Sequence, residues 1–252
     1  MNAEEAPTHS QRALVVVPTY NEKDNISEVV RRLFGAGAPV DLLVVDDGSP
    51  DGTARLVEEL ARDRDDIFLL ERGSKQGLGT AYIAGFHWAT ERGYYAVVEM
   101  DADLSHDPVA VPDLLHALGD AELAIGSRYV QGGSTRNWGL VRRLLSRAAN
   151  VYAGLWLGLH VHDWTSGFRA YRTTQLEALD LGSVASEGYA FQIELTWRTV
   201  RSGGRVVEVP ITFVERTSGK SKMSRGIIIE ALARVAQWGL GRAVDKLRRK
   251  RQ

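Results

Sequence analysis

Residues 97–107 read VVEMDADLSHD, and the rest of the chain is organised around this stretch. Residues 96–100, apolar apart from one glutamate, have the length and composition of a buried β-strand. Asp101 and Asp103 follow directly, so we expect both carboxylates at the carboxyl end of that strand, where open α/β sheets bind ligands. If the backbone stays extended there, side chains two residues apart project to the same side.

Two close carboxylates repel each other, and a hard divalent cation that also binds substrate phosphates would neutralise them. For an isolated Asp-x-Asp pair, a strand end with two solvated aspartates is the more common alternative. A calcium loop of the EF-hand type also begins Asp-x-Asp-x-Ser, but His106 and Pro112 occupy its glycine and final glutamate positions here. An EF-hand is therefore excluded, and the metal hypothesis depends on the rest of the chain.

Composition excludes several classes of protein. The chain has 252 residues, a formal net charge of −1 and no cysteine. The length fits one large α/β domain or two small ones, and the balanced charge favours no nucleic-acid partner. The first ten residues lack a signal-peptide core, and the longest apolar stretch, residues 148–161, is short for a membrane span and contains glycines. We therefore expect a cytoplasmic protein without disulfides or thiolate metal sites.

Apolar runs alternate with helical patterns through the first half of the chain. Strands are predicted at residues 13–17, 42–45, 67–70, 96–100 and 123–125. This alternation predicts a mostly parallel sheet with flanking helices and right-handed crossovers. In the second half the patterns predict helices over residues 136–158, 191–202 and 227–251, and a strand over residues 205–213.

Two further polar clusters follow predicted strands. Tyr20 and Glu22 come after the first strand, where a ring can stack on a nucleobase and a carboxylate can accept hydrogen bonds from a base or ribose. Asp46 and Asp47 come after the second strand, and an acid at such a position binds ribose in dinucleotide folds. Each cluster alone is more typical of an ordinary loop. Three clusters at successive strand ends favour a crevice for a nucleotide and a metal.

Together these motifs resemble glycosyltransferase family 2, and within it the dolichol-phosphate and polyprenol-phosphate mannose synthases. The resemblance runs in order from about residue 13 to residue 230, and implies the nucleotide-diphospho-sugar transferase fold called GT-A. The matching stretches are PTYNE (18–22), VDDGSPDGT (45–53), GLGTAY (77–82), MDADL (100–104), GSRY (126–129), DWTSGFR (163–169), GYAFQIE (188–194) and RTSGKSK (216–222).

The resemblance implies an inverting enzyme with GDP-mannose as donor, Mg²⁺ or Mn²⁺ as cofactor and a polyprenyl (dolichyl-type) monophosphate as acceptor. Asp101 and Asp103 would hold the metal and act in catalysis together with Arg128. Close relatives have a glutamine as third metal ligand where this chain has Ser105, whose hydroxyl is a shorter and weaker ligand. The implied acceptor-phosphate residues are Arg128, Arg142 and Arg143. The implied donor-binding residues are Pro18, Tyr20, Glu22, Val45, Asp47, Met100, Asp101, Ala102, Asp103, Arg128, Gln192, Arg216 and Lys222.

We expect a disordered leader over residues 1–11, a GT-A catalytic domain over residues 12–225 and an amphipathic basic helix or tail over residues 226–252. The tail and a nearby apolar surface favour a peripheral enzyme on the cytoplasmic face of a membrane, with a membrane-anchoring protein as an additional partner. The alternatives are a solvated tail and core packing of the apolar residues. The residues predicted for that surface are Trp138, Leu144, Leu145, Val151, Leu155, Trp156 and Leu157.

Two other functions remain open on the sequence. One keeps the fold and metal but uses UDP-glucose or another sugar nucleotide, because no residue fixes guanine over uracil. The other is a non-catalytic subunit that binds a nucleotide sugar. The presence of Asp101, Asp103, Arg216 and Lys222 argues against this second alternative.

Overall fold

The computed structural model describes residues 9–215 and 225–249, and the side chains of its last helix over residues 229–242. The strands are β1 (Ala13–Thr19), β2 (Val40–Asp46), β3 (Ile67–Glu71), β4 (Ala96–Glu99), β5 (Leu123–Ser127), β6 (Ser134–Arg136), β7 (Arg169–Arg172), β8 (Val206–Pro210) and β9 (Thr212–Val214). The helices are α1 (Lys23–Gly35), α2 (Thr53–Ala61), α3 (Leu78–Glu91), α4 (Val111–Ala117), α5 (Leu140–Leu157), α6 (Thr173–Ala178), α7 (Gly188–Arg201) and α8 (Arg225–Arg249).

Seven strands form the central sheet in the order β3-β2-β1-β4-β7-β5-β8. β7 runs antiparallel to β4 and β5, and the other neighbouring pairs are parallel. The predicted α/β fold with a mostly parallel sheet is therefore confirmed. Because β1, β2 and β4 are parallel neighbours, their carboxyl ends lie along one edge of the sheet.

Both faces of the sheet are covered, which explains its nearly continuous apolar strands. On β1, Val15 and Val17 face a core that includes residues of α1 and α4, whereas Leu14 and Val16 face a core that includes residues of α3. Gly85 allows α3 to approach closely, because a Cβ there would lie 2.4 Å from a methyl carbon of Val16. The sheet edge is thus supported from both sides.

The second half departs from the predicted element boundaries. The helix predicted from residue 136 begins at Leu140, because residues 134–136 form β6 and pair with β9, and Asn137 has a φ of 63°. The strand predicted over residues 205–213 divides at Ile211, since β8 pairs with β5 and β9 pairs with β6. The end of the predicted leader is ordered: His9–Gln11 form one turn of 3₁₀-helix, with His9 packed on the ring of Tyr94.

Helices α5, α7 and α8 pack together beside the sheet around a third apolar cluster. Its buried members include Leu157 on α5, Trp197 on α7 and Val235 on α8. Among the helices that the structure describes, none has the length and apolar character needed to span a membrane. The predicted boundary at residues 225 and 226 coincides with the start of α8, but its role as a domain boundary stays a prediction.

Candidate active site

A cleft opens at the sheet edge where β1, β2 and β4 end. The start of α7, residues near the start of α5 and the segment before β7 close its other sides. Most of the predicted site residues line this cleft: Pro18, Tyr20, Glu22, Asp47, Asp101, Ala102, Asp103, Ser105, Arg128, Arg142 and Gln192. The topology therefore brings together residues from stretches that are far apart in the sequence.

The two acids after β2 have different surroundings. Asp46 is fully buried and accepts hydrogen bonds from Thr19 Oγ1 at 2.7 Å and from the backbone nitrogen of Ser49 at 2.8 Å, so it fixes the loop. Asp47 lines the cleft and accepts a hydrogen bond from Arg72 Nε at 2.7 Å. Arg72 also donates to Thr80 Oγ1, which joins the end of β2 to the start of α3. Asp47 is thus held in place by an arginine that sequence reasoning missed.

Tyr20 and Glu22 follow β1 at one end of the cleft. The Lys75 ammonium lies 4.9 Å from the centre of the Tyr20 ring, and Lys75 also lines the cleft although it was not predicted. The Glu22 carboxylate accepts a hydrogen bond from Asn25 Nδ2 at 2.9 Å, and the backbone nitrogen of Glu22 donates to Thr53 Oγ1. An aromatic face, a cation and a carboxylate here form a surface suited to a base and ribose.

Asp101 and Asp103 both line the cleft, as predicted, but the backbone between them is not extended. The chain turns after β4, and Leu104, directly after Asp103, has a positive φ of 59°. Tyr82 donates its hydroxyl to Asp101 Oδ1 at 3.2 Å, and the Ser105 backbone nitrogen donates to Asp103 Oδ1 at 3.0 Å. A turn therefore directs both carboxylates into one space, and neighbouring donors orient each of them.

The donor set around this turn fits a hard divalent cation. Within residues 9–215 and 225–249, no group of three or more His, Cys, Asp or Glu side chains is placed to hold a metal. Two carboxylates are what Mg²⁺ commonly takes from a protein, since substrate phosphates and water complete its octahedron. Asp101 and Asp103 fit this pattern. The Ser105 side chain as a third ligand stays a prediction.

Buried polar groups lie beneath the carboxylates. His106, missed by sequence reasoning, stacks on Phe168 with ring centres 5.1 Å apart, and its Nδ1 lies 3.8 Å from Asp101 Oδ2. Burial lowers the pKa of His106, although the charges of Asp101 and Asp103 oppose this effect. Burial also raises the pKa of Glu99 to about 8, against the opposing charge of Arg169. Neutral forms of both groups are therefore favoured beneath the turn that carries Asp101 and Asp103 at neutral pH.

Arg128 forms part of the cleft wall and is almost fully buried. Its Nε and Nη2 donate to the two carboxylate oxygens of Asp163 at 2.7 and 2.6 Å, and Nη2 also donates to Thr165 Oγ1. Burial acts to lower the pKa of Arg128, but the Asp163 carboxylate outweighs burial and raises it. Arg128 is thus a permanent, rigidly held positive charge, with part of its hydrogen-bonding capacity used within the protein.

Arg142 lies at the cleft near the start of α5, with its guanidinium 4.3 Å from the Trp138 ring centre and an ion pair to Glu215. Arg143 donates to the Trp138 carbonyl at 3.4 Å and does not line the cleft. Of the three arginines implied for the acceptor phosphate, Arg128 and Arg142 therefore line the cleft. Trp138 was predicted on an apolar surface, but it is buried against Phe213 in the cleft wall.

Helices α5 and α8 expose an unusual number of apolar side chains. We define the α5–α8 face by those that are at least 40% exposed: Leu140, Val141, Leu144, Leu145, Val151 and Leu155 on α5, and Ile229, Leu232 and Leu240 on α8. The predicted apolar surface is correct for Leu144, Leu145, Val151 and Leu155. The prediction is wrong for Leu157, which is fully buried. Trp156 is 36% exposed and therefore falls just short of the 40% that defines the face.

The family model for glycosyl transferase family 2 matches residues 14–179, which include almost all of β1, the strands β2 to β7 and the turn that carries Asp101 and Asp103. This chain belongs to glycosyltransferase family 2.

Named relatives cover nearly the whole chain. Polyprenol monophosphomannose synthase of Mycolicibacterium smegmatis is 53% identical over 241 residues, which cover 95% of this chain and 91% of the relative. Undecaprenyl-phosphate mannosyltransferase of Micrococcus luteus is 49% identical over 237 residues, which cover 94% of this chain and 98% of the relative.

Solved structures share the fold. Glucosyl-3-phosphoglycerate synthase from Mycobacterium tuberculosis, in complex with Mn²⁺, UDP-glucose and glycerol 3-phosphate, aligns with a TM-score of 0.64 at 24% identity, over 89% of this chain and 80% of that one. A mannosyltransferase from Pyrobaculum calidifontis, in complex with GDP-mannose and Mn²⁺, aligns with a TM-score of 0.58 at 18% identity. The alignment covers 97% of this chain and 77% of that one.

Three of the site residues predicted for this family 2 chain, Val45, Met100 and Arg143, do not line the cleft. The side chains of Val45 and Met100 are fully buried in the two cores that flank the sheet, so they support the cleft from behind. Arg216 and Lys222 lie outside the described residues, and their roles stay predictions.

Proposed function

We propose that this chain transfers mannose from GDP-mannose to a polyprenyl monophosphate and forms polyprenyl-phosphate mannose. The observation that carries the proposal is the identity of 53% and 49%, over nearly the full length, to two proteins named for that type of product or transfer. The cleft supports the proposal. Carboxylates at its strand ends suit a sugar nucleotide, and Arg142 lines the same cleft near the start of α5, the helix that exposes apolar side chains. UDP-glucose and other sugar nucleotides are the alternative donors.

The donor would lie along the ends of β1, β2 and β4. Tyr20, Glu22 and Asp47 would contact the guanosine, with Lys75 beside the Tyr20 ring. A divalent cation, Mg²⁺ or Mn²⁺, held by Asp101 and Asp103 would stabilise the negative charge on the departing GDP. Arg216 and Lys222 are assigned to the diphosphate from the family resemblance alone.

The acceptor needs little activation. The second pKa of a phosphate monoester is about 6, so the attacking oxygen already carries negative charge at neutral pH and needs no general base. The site must instead bring one anion close to another. Arg142 near the start of α5 and Arg128 in the wall supply positive charge for this purpose, and guanidinium groups match phosphate oxygens well. Direct attack on the anomeric carbon would displace GDP and invert the configuration of the sugar.

The acceptor is a lipid, and the α5–α8 face gives it a route to the cleft. We propose that this face lies against a membrane surface and that the enzyme is peripheral, on the cytoplasmic side. Arg142, Arg143 and Arg147 on the same helix α5 would attract anionic headgroups. A membrane-anchoring protein is the other candidate occupant of the face.

The test is transfer of radiolabelled mannose from GDP-mannose into organic-extractable polyprenyl phosphate, with and without EDTA. We expect radiolabelled product in the lipid phase, and we expect this product to disappear with EDTA and to return with added Mg²⁺ or Mn²⁺. UDP-glucose is the matched donor control. Product from UDP-glucose and none from GDP-mannose would overturn the proposed donor, and loss of lipid-phase product with both would overturn the proposed acceptor.

A further inference from the structure

Among the described residues, two arginines line the cleft, and their carboxylate partners differ in how firmly they are held. Arg128 donates to both carboxylate oxygens of Asp163, and these two side chains are 4% and 0% exposed. Arg142 donates from Nη1 to Glu215, and these two side chains are 37% and 36% exposed. Exposed ion pairs add little to stability, whereas separating a buried pair is strongly unfavourable. Glu215 is therefore the carboxylate that can leave its arginine.

The backbone of Glu215 is anchored, although its side chain lies at the surface of the cleft. Glu215 directly follows β9, and its backbone nitrogen donates to the Arg136 carbonyl at 3.2 Å. This bond continues the pairing of β9 with β6. Rotation of the side chain alone can therefore carry the carboxylate away from Arg142, without any change in the small sheet.

Arg142 has a second contact that keeps it at the cleft. Its guanidinium lies 4.3 Å from the centre of the Trp138 ring, and Trp138 is buried against Phe213. The face of an indole ring attracts a cation. When the carboxylate leaves, the guanidinium can therefore stay on the ring, and the N–H group that Glu215 occupied becomes available to another anion.

Binding of an acceptor phosphate beside Arg142 must be an exchange of anions. A phosphate monoester carries a charge of about −1.5 to −2 near neutral pH. If the Glu215 carboxylate stayed on the same guanidinium, the two anions would repel each other at short distance. Arg128 offers no alternative, because its own carboxylate is buried with it.

We infer that Glu215 is an exchangeable counter-anion of Arg142, which the acceptor phosphate displaces on binding and which returns as the product leaves. The inference rests on the proposed function, and it gives a role to a residue that was not among the predicted site residues. In the transfer, an acceptor oxygen bonds to the anomeric carbon and GDP departs with the electron pair of the broken bond. The monoester becomes a diester with one negative charge, which competes less well for Arg142, so the return of Glu215 favours product release.

The test is equilibrium binding of a short-chain isoprenyl phosphate to the full-length protein with GDP and Mn²⁺, under which no transfer occurs. Glu215→Gln keeps the shape and removes the charge. We expect its affinity for the isoprenyl phosphate to rise about fivefold, because no carboxylate competes for Arg142. The affinity for the mannosylated product should also rise, and the affinity for GDP should stay within twofold. A purely structural role for Glu215 predicts weaker binding instead, because Arg142 would lose its support.

Arg142→Gln is the background that isolates the ion pair. If Glu215 acts through Arg142, adding Glu215→Gln to this background should leave the affinity for the isoprenyl phosphate within twofold. Glu59→Gln is the matched control, since Glu59 pairs with Arg55 at an exposed position outside the cleft, and it should change no affinity.

Unchanged or weaker binding of the isoprenyl phosphate by Glu215→Gln would overturn the inference and leave the proposed function standing. An equal gain in the Arg142→Gln background would also overturn it, because the effect would then come from the net charge of the cleft. If the wild-type protein binds GDP but no isoprenyl phosphate, the proposed function itself fails and the inference fails with it.

Discussion

The sheet edge and the α5–α8 face depart from ordinary burial in opposite directions. At the edge, charged groups are buried and paired, as in Asp47 with Arg72 and Arg128 with Asp163. On the two helices, apolar side chains such as Leu144 and Leu155 are more than half exposed. Buried charges are rare unless paired, and exposed apolar patches mark interaction surfaces.

The difference indicates two kinds of binding within one enzyme. Buried ion pairs hold the groups at the strand ends in one geometry before the donor arrives, which favours stabilisation of developing charge. The α5–α8 face has no such network among its exposed members and offers apolar area, which suits a fluid lipid surface. Changes at the edge should therefore affect chemistry and folding, whereas changes on the face should affect access to the lipid.

The largest effect is expected for Asp103→Asn. This variant keeps the shape and removes one of the two charges proposed to hold the metal, so we expect turnover to fall about a thousandfold while binding to anionic vesicles is unchanged. Steady-state mannosyl transfer and vesicle flotation measure the two quantities. Asp113→Asn, on the exposed side of α4, is the control and should keep full activity. More than a tenth of wild-type turnover in Asp103→Asn would contradict the metal-centred mechanism.

The next effect concerns folding. Asp163→Asn leaves the Arg128 charge buried without its partner, and we expect the free energy of unfolding to fall by about 3 kcal/mol. The exposed pair Arg55–Glu59 gives the control, since Glu59→Gln should change the free energy of unfolding by about 0.5 kcal/mol or less. Urea denaturation measures both. Equal small changes in the two variants would show that the buried pair is not a structural requirement.

Glu99 gives a pH-dependent prediction. In the folded protein, burial raises the pKa of the Glu99 carboxyl to about 8, so the group keeps its proton up to about that pH. The charge of Arg169 and a hydrogen bond with Gln192 oppose this rise, whereas the charge of Asp101 adds to it. The unfolded chain releases the proton near pH 4.3. Stability from the protonated group is therefore complete below pH 4.3 and is lost as the pH rises towards 8.

Glu99→Gln stays neutral throughout this range. Between pH 5 and 8 we expect wild-type stability to fall relative to the variant by about 1.4 kcal/mol per pH unit. Denaturation curves recorded with EDTA at pH 5.5, 6.5 and 7.5 measure the difference. A constant difference across these three values would mean that Glu99 ionises in the folded protein as it does in the unfolded chain.

The smallest effect is expected on the helices. The double variant Leu144→Asp, Leu155→Asp should weaken binding to anionic vesicles at least tenfold, because charged side chains would replace two apolar ones on the face proposed to contact the lipid. Its affinity for GDP-mannose should not change. Val109→Asp is the matched control, since Val109 is equally exposed but lies outside the face. Vesicle binding that survives the double variant would assign the face to a protein partner.

The sequence was sufficient for features that local patterns determine. Asp47, Asp101 and Asp103 were predicted at the cleft because each follows an apolar run, and parallel strands bring such ends to one edge. Arg72 was missed because its partner Asp47 is 25 residues away and no local pattern pairs them. His106 stands at the glycine position of a calcium loop, which excludes that loop but does not predict its contact with Asp101.

The start of α5 depends on contacts with residues that are distant in the sequence. The helix predicted from residue 136 begins at Leu140 instead, because Arg136 pairs with Val214 on β9, 78 residues later, and Asn137 has a positive φ of 63°. Trp138 and Leu157, which the helical pattern predicts on the surface, are buried by residues distant in the sequence. A helical repeat predicts which residues share a face, but whether that face is covered depends on α7, α8 and Phe213.

The most direct test of this division of roles compares two acceptors in one variant. Turnover of Leu144→Asp, Leu155→Asp would be measured with a water-soluble, short-chain isoprenyl phosphate and with long-chain polyprenyl phosphate in vesicles. We predict wild-type turnover with the short acceptor and at least a tenfold loss with the vesicle-bound one. Equal losses with both acceptors would contradict the account, because the α5–α8 face would then serve the chemistry itself rather than access to the lipid.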